Sequence, residues 1–471
     1  MARVILISPP YVTDYMRNAR CDFVSLSKSS WYPIWLGQAG SYLESRGHKT
    51  RLLDAQVAGL NRQQALDEIK AFNADLVAVY TGRLSEASDI AFADAVCASG
   101  RTAVLVGPYA SIDPKAMLAS TQHTALAIER EFDLPLEELA SGADPTSVAN
   151  VHVKAPSGEL TCTPARPILE PSVLDTFPLT SEYFHRQLDI ERYKTPSELY
   201  PFIDVMSGRG CAWGRCNFCL WVQTFVPGSV YKQRSIDHFM GEFEYVTKQM
   251  PDVRSIMIQD DMLTNRRAAE ISEHILKRGY KIRWSCYAKP NSKLTAETLQ
   301  LMRRSGCLNL HVGFESGDDE VLQTIDKGST VAQAKEFAAL AHAADLNIHG
   351  DFAMGHVGET KESMERTIRL AQEINPHTAQ FQIMIPFKNT TMYRQLNERG
   401  AWSKTGEPSY ERMGGANAEE IRSTAKRAYR RFYLSPAYFK KIVLQPRDYF
   451  FNRFDQYLQA IPAVSWKRWQ K

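Results

Sequence analysis

The chain has 471 residues, 44% of them hydrophobic and 23% charged, with a formal net charge of +3. That length holds two or three domains with full cores, and the composition is that of an ordinary soluble globular protein, not of a disordered or collagen-like one. The eight cysteines are scattered apart from one triplet, which excludes a secreted disulfide framework and fits a reducing cytoplasm.

Met1 to Pro10 carries a strand pattern and not a signal peptide, and no apolar run approaches the roughly 20 residues of a membrane span. Arg3 to Ser8 (R-V-I-L-I-S) reads as a buried strand ending in Pro9-Pro10. A helical pattern runs from Ile34 to Arg46, Gly47 stops it, and His48 to Asp54 is a second strand. Gln63 to Phe72 is an amphipathic helix, Leu76 to Tyr80 a third strand, and a helix around Ala87 to Ala98 leads to a fourth strand, Ala103 to Val106, closed by Gly107-Pro108. This alternation predicts an α/β chain whose residues 1–150 form a doubly wound, Rossmann-like parallel sheet. Such sheets bind ligands at the carboxyl ends of their strands, near the switch point. The Pro-rich polar stretch that follows is expected to be a linker, 151–200.

From 201 to 400 the pattern recurs. Strands are expected at Phe202 to Met206, Ser255 to Gln259, Ile282 to Tyr287, Leu308 to Gly313, Asn347 to Met354 and Ala379 to Ile385. Six parallel strands with helices between them predict a partial (β/α)6 barrel, with its active site at the carboxyl ends. There the polar residues gather. S-G-R-G-C-A-W-G-R-C-N-F-C-L, Ser207 to Leu220, follows the first strand and places Cys211, Cys216 and Cys219 on one loop. Structural zinc takes four ligands and so does a closed [4Fe–4S] cluster, so three thiolates leave one iron open for chemistry. Phe218 offers an apolar wall beside it. A zinc ion completed by Cys162, Cys286 or Cys307, or three reduced thiols with no metal, are the alternatives for the triplet alone.

The triplet, with an aromatic residue before its last cysteine, resembles the cluster loop of radical S-adenosylmethionine enzymes. Its first gap, Ala212 to Arg215, is one residue longer than usual, and that extra length is expected to bulge away from the cluster. In that family the open iron chelates the methionine end of the cofactor, and reductive cleavage gives a 5′-deoxyadenosyl radical. The resemblance implies further S-adenosylmethionine contacts: Asp260, with Asp261 as alternate, for the amine, and Glu315 and Ser316 of G-F-E-S for the ribose and methionine ends. Gly350, Phe352 and Gly355 of G-D-F-A-M-G-H-V-G-E-T fall where the adenine is contacted. An Asp in this place also serves as a helix N-cap. His349 and His356 admit proton transfer, cobalt ligation or plain structural bonding, whereas His311 and Lys327 read as structural.

The first 150 residues resemble the cobalamin-binding domain that precedes many radical S-adenosylmethionine barrels. The pieces are S-P-P, W-Y-P-I-W-L-G, L-L-D and V-G-P-Y-A, which imply cobalamin contacts from Pro9, Asp54, Gly107, Pro108 and Tyr109. No Asp-x-His-x-x-Gly motif is present. F-C-L-W-V-Q-T, W-S-C-Y-A-K and E-I-N-P-H-T, with W-Y-P-I-W-L, resemble the hopanoid-associated branch. That branch implies carbon–carbon ring closure on the polyol side chain of a hopanoid-like lipid. Cobalamin-dependent C-methylation in natural-product biosynthesis and a non-enzymatic cobalamin or cluster sensor are the alternatives. The expected partners are a small-molecule or lipid substrate and a flavodoxin- or ferredoxin-like electron donor in the cytoplasm, with no nucleic acid. Residues 401–471 read as a helical, basic and aromatic tail, notably Ile421 to Leu434 and Arg447 to Arg453. It suits either the inner membrane face or packing on the barrel with its arginines kept in water.

Overall fold

The computed structural model describes residues 1–17, 22–25, 27–404 and 406–444. Its first sheet comprises β1 (Arg3–Ser8), β2 (Lys49–Asp54), β3 (Leu76–Tyr80), β4 (Thr102–Val106), β5 (Leu126–Ile128), β6 (Val151–Lys154) and β7 (Leu160–Cys162), in spatial order β2-β1-β3-β4-β5-β6-β7. The first five are parallel, and β6 and β7 join antiparallel. Val4 to Ile7 and Val77 to Val79 are wholly buried, as strands covered by helices on both faces must be. The connections run to opposite sides of β1, so the switch point lies between β1 and β3.

The segment expected to be a linker opens instead with β6 and β7. In V-H-V-K the two valines alternate with polar residues, a strand pattern that a reading for composition misses. The helix Thr180–Gln187 further along packs on the helix Ile34–Ser45. Glycines permit that approach: a Cβ on Gly37 would lie 2.3 Å from the Phe184 ring, and one on Gly40 2.3 Å from the Tyr183 hydroxyl.

The second sheet contains β8 (Phe202–Val205), β9 (Ser255–Ile258), β10 (Arg283–Ala288), β11 (Cys307–Glu315), β12 (Asn347–Met354) and β13 (Thr378–Ile383). All are parallel and lie in sequence order, the six-stranded partial barrel expected from the pattern. Alternate residues face opposite ways. Trp284, Cys286, Leu310, Ile348 and Phe352 belong to the apolar core. The other face carries Ser285, Asn309, His311, His349 and Asp351. Glu198, just before β8, enters this polar face, accepts from Ser255 and Ser285 at 3.2 and 2.9 Å, and lies 3.3 Å from His311 Nε2.

One apolar cluster runs through both sheets. At their junction the Tyr32 hydroxyl donates to the Phe202 carbonyl at 2.7 Å, and the Trp31 ring lies edge-on to Phe202 and His311. The helix Ala418–Tyr433 packs on β13 and on the helix Lys361–Ile374. It buries Ile421, Ala425, Ala428 and Phe432 while Arg427 and Arg431 pair with Glu365. That part of the basic tail therefore packs on the barrel. Arg447 to Arg453 lie outside the described residues. Among the described residues no helix is long and apolar enough to cross a membrane.

Candidate active site

The cysteine loop leaves β8 through Ser207, which is held from three sides. Its N–H and hydroxyl donate to Asp260 at 2.6 and 2.5 Å, and Arg267 contacts its hydroxyl and carbonyl at 3.2 and 3.3 Å. Tyr231 donates to the same Asp260 carboxylate at 2.5 Å. Asp260 thus anchors the loop and is 1% exposed. Asp261 is the carboxylate whose charge reaches Cys211 and Cys219. Burial pushes the thiols of Cys211 and Cys216 up and that of Cys219 to about 12. Bound iron deprotonates such thiols, because a coordinating thiolate is held by the metal charge.

The long first gap does not bulge free. The backbone N–H groups of Gly214 and Trp213 turn back toward Cys211. Trp213 Nε1 donates to the Asp326 carbonyl at 2.8 Å, and its ring fills the place of a side chain at Gly328, where a Cβ would lie 2.0 Å away. Arg215 pairs with Asp326 at 3.0 Å. The Lys289 ammonium lies 4.1 Å from the Trp213 ring centroid, a cation–π contact.

Two lysines attend the thiols. Lys327 pairs with Glu315 at 2.7 Å; burial pulls its pKa down, but the charges of Glu315 and Cys216 outweigh it and hold the ammonium at about 12. Burial first, and then the Lys327 charge, push Lys289 down to about 8. Glu315 stands at φ 65, where a bulge between Gly313 and Glu315 shifts the β11 register. These cations offset the negative charge of three iron-bound thiolates, so the donor set and its surroundings fit an iron–sulfur cluster. Lys289 follows β10 directly, and Lys327 follows β11 by way of the helix Asp319–Thr324.

The remaining S-adenosylmethionine candidates divide. Phe218 is half-buried and its ring lies 5.4 Å from that of His356. Ser316 is fully buried, 3.2 Å from the Thr367 hydroxyl, and accepts from Asp318 N–H at 3.2 Å, so it braces a turn. Phe352 does not face the polar side. It is stacked between Phe314 and Phe381 at 5.5 and 5.3 Å, because the two-residue period turns it toward the helices with Gly350. Gly355 has φ +92 and approaches Ile421. Its N–H and that of His356 donate to Glu359 at 2.6 and 3.1 Å, and Tyr410 donates to its carbonyl at 2.6 Å. Burial holds Glu359 up at about 8; burial and the Lys327 charge hold His356 down at about 3. Neither ring nitrogen of His356 has a hydrogen-bond partner.

Completion of a zinc site by the distant cysteines is overturned. Cys162 lies on β7 against His152 at 3.0 Å, and Cys286 and Cys307 are buried together in the barrel wall. Among the described residues no three His, Cys, Asp or Glu side chains converge on a single metal ion, which a cluster held by three thiolates does not require.

At the carboxyl ends of the first sheet, Tyr80, Thr81, Gly82, Arg83, Pro108 and Tyr109 line a pocket whose opposite wall is Leu220 and Phe387. Leu220 follows Cys219 directly. Arg17 crosses the floor, contacting Ser8, the Pro9 carbonyl and Asp89 at 3.2, 2.6 and 2.6 Å. Gly107, at φ +102, stands against the Tyr80 ring. Asp54 accepts from the Tyr193 hydroxyl at 3.0 Å and is lifted to about 6 by burial. Of the expected cobalamin contacts, Pro108 and Tyr109 line the pocket, Pro9 and Gly107 adjoin it, and Asp54 is not among its lining. Its walls are aromatic and apolar, with Arg83 and Asp22 among its polar lining.

A model of the radical SAM superfamily matches residues 205–371. An uncharacterized methyltransferase of Pyrococcus horikoshii is 24% identical over 436 residues, covering 89% of this chain and 92% of the relative. Among solved structures, the radical S-adenosylmethionine methyltransferase TsrM of Kitasatospora setae, with cobalamin and a [4Fe–4S] cluster bound, aligns with a TM-score of 0.66 at 18% identity. That alignment covers 85% of this chain and 75% of TsrM. The cobalamin-dependent radical enzyme OxsB, with aqua-cobalamin and S-adenosylmethionine bound, aligns with a TM-score of 0.68 at 15% identity, covering 97% of this chain and 72% of OxsB. At these identities the likeness is one of fold, and it extends over both sheets. The cysteine loop at the carboxyl end of a six-stranded parallel barrel lies within the matched segment, and the chain is an enzyme that carries a radical SAM domain over residues 205–371.

Proposed function

We propose that the chain is a cobalamin-dependent radical methyltransferase acting on an unactivated carbon of a small molecule. One observation carries this reading. The residue after Cys219 forms a wall of the pocket whose other wall is the switch-point end of the first sheet. On this reading the cluster and cobalamin would face one space, as transfer between them requires.

When bound, the cluster would supply the electron that opens the sulfonium bond and cobalamin the methyl group. The chain's own residues would hold and orient. Cys211, Cys216 and Cys219 would ligate three irons, and Asp261 would receive the methionine ammonium, a charge-assisted contact. Phe218 and the Gly355–His356 turn would flank the nucleobase, and Glu315, steadied by Lys327, would meet the ribose. Tyr109, Leu220 and Phe387 would shield the transfer space from water.

Of the outcomes weighed from the sequence, methylation is favoured over ring closure on a hopanoid-like lipid. The relative that spans most of both chains is named a methyltransferase, whereas ring closure rests on four short sequence pieces. The electron donor is expected to be a flavodoxin- or ferredoxin-like protein in the cytoplasm.

Anaerobic reconstitution with iron, sulfide and cobalamin tests this reading. The expected protein is brown, retains cobalamin through gel filtration, and releases S-adenosylhomocysteine together with 5′-deoxyadenosine. A colourless protein with one zinc would end it. So would 5′-deoxyadenosine formed with no S-adenosylhomocysteine and no retained cobalamin.

A further inference from the structure

The outer edge of the first sheet holds a second constellation of reactive groups, on β7, the last strand in the spatial order. Cys162 faces His152 directly across the antiparallel β6–β7 pair, and its Sγ lies 3.0 Å from His152 Nδ1. On the far side of the ring, Nε2 lies 3.3 Å from Glu129 Oε2. Glu129 follows β5, and its contact with His152 holds the carboxyl below its usual range. His152 is 6% exposed while Cys162 is exposed. The ring is thus fixed inside the protein and the thiol is presented to solvent.

The order of atoms matters. A carboxylate facing Nε2 favours the tautomer with the proton there, which leaves the Nδ1 lone pair toward the thiol. The thiol and the imidazole are in hydrogen-bond contact, and the carboxylate lies at ion-pair distance from the far ring nitrogen without a formed hydrogen bond. A nucleophile beside a base with a carboxylate behind it is the set of groups that activates a cysteine. None of the roles given above to the cluster loop or the pocket uses it.

We propose that Cys162, His152 and Glu129 form a thiol–disulfide exchange site for low-molecular-weight disulfides. His152 Nδ1 takes the thiol proton as Sγ attacks one sulfur of the disulfide. A new S–S bond forms at Cys162, the old S–S bond breaks, and the departing thiolate takes the proton back from the imidazolium. One disulfide is consumed and one is formed, so no further oxidant is needed. The charged groups around the pair are Glu129, Arg130 at 3.9 Å from that carboxylate, and Lys154, whose ammonium is held by the Leu118 and Thr121 carbonyls.

The test uses the full chain with its cluster, held anaerobically with oxidised glutathione and sampled over time by peptide mass mapping. Mixed disulfide at Cys162 is expected to form at least about tenfold faster than at Cys97, a half-buried thiol that donates to the Thr124 hydroxyl. His152→Ala is expected to slow it by about tenfold or more, the usual scale for losing a general base. Glu129→Gln keeps the size and is expected to move the pH profile of the rate, which a merely structural role would leave in place. Cys162→Ser should keep the cluster and lose the modification. Reaction at Cys162 no faster than in the urea-unfolded chain, or a rate and pH profile unchanged in both His152→Ala and Glu129→Gln, would overturn the proposal.

Discussion

Arg209 grips Asp133 with both arms of its guanidinium, at 2.7 and 3.2 Å, out of contact with water. Glu131 at 2.9 Å and Gln38 at 2.7 Å complete the grip, and the Trp35 and Phe177 rings lie against the guanidinium at 4.8 and 5.1 Å. Arg209 is two residues before Cys211, so the first sheet holds the entry of the cysteine loop. Removing Asp133 leaves Arg209 paired with Glu131 but takes away its two-point grip, at a cost of about 3 kcal/mol, the lower end for breaking a buried pair. Asp133→Ala is expected to lower the thermal midpoint clearly and to shed iron on gel filtration, with both losses appearing together.

Trp213 makes a second clamp, from inside the gap. Trp213→Ala removes a half-buried ring from Gly328 and from the Lys289 ammonium. The expected cost is about 2 kcal/mol, below the range for a fully buried tryptophan. Iron per chain after reconstitution should fall, while Trp213→Phe should recover most of it by keeping the ring.

Two buried groups near the Gly355 turn pull stability in opposite directions with pH. His356 titrates at about 3 when folded against 6.5 when free. The unfolded chain takes the proton first, so its contribution is lost as pH falls from about 6.5 toward 3. Glu359 titrates at about 8 when folded against 4.5 when free. Its contribution is present below about 4.5 and lost as pH rises through 8. Urea unfolding without added nucleoside should show His356→Leu gaining more stability at pH 5 than at pH 8. Glu359→Gln should gain more at pH 8 than at pH 5.

Lys289 brings positive charge to the thiols from the end of β10. A cation beside a cluster favours its reduced, more negative state, since net charge sets potential. Lys289→Met is expected to shift the midpoint downward in a redox titration followed by electron paramagnetic resonance. An unchanged midpoint would show that this ammonium is screened from the iron.

The sequence laid out segments well and facings poorly. Buried strands announce themselves as apolar runs closed by turn residues, so the six barrel strands and the cysteine loop were legible. Within each segment, neighbouring residues point opposite ways, and a motif does not say which way. That is how Phe352 reads as a ligand contact in the motif and stands in the wall. Trp213, Lys289 and Lys327 stayed hidden for another reason. Their meaning depends on the approach of the cysteine loop to the ends of β10 and β11, more than 70 residues further along.

The glycines of the helix Ile34–Ser45 bear on how this chain is to be divided. Gly37 and Gly40 are grooves for Phe184 and Tyr183, and Tyr32, two residues ahead of the helix, caps the first carbonyl of the barrel. That helix is a shared wall, belonging as much to the second sheet as to the first. A chimaera joined near residue 150 would split the wall and leave two bare grooves. The piece that exchanges cleanly between relatives runs through the cysteine loop, so the first sheet and the cysteines should be inherited together.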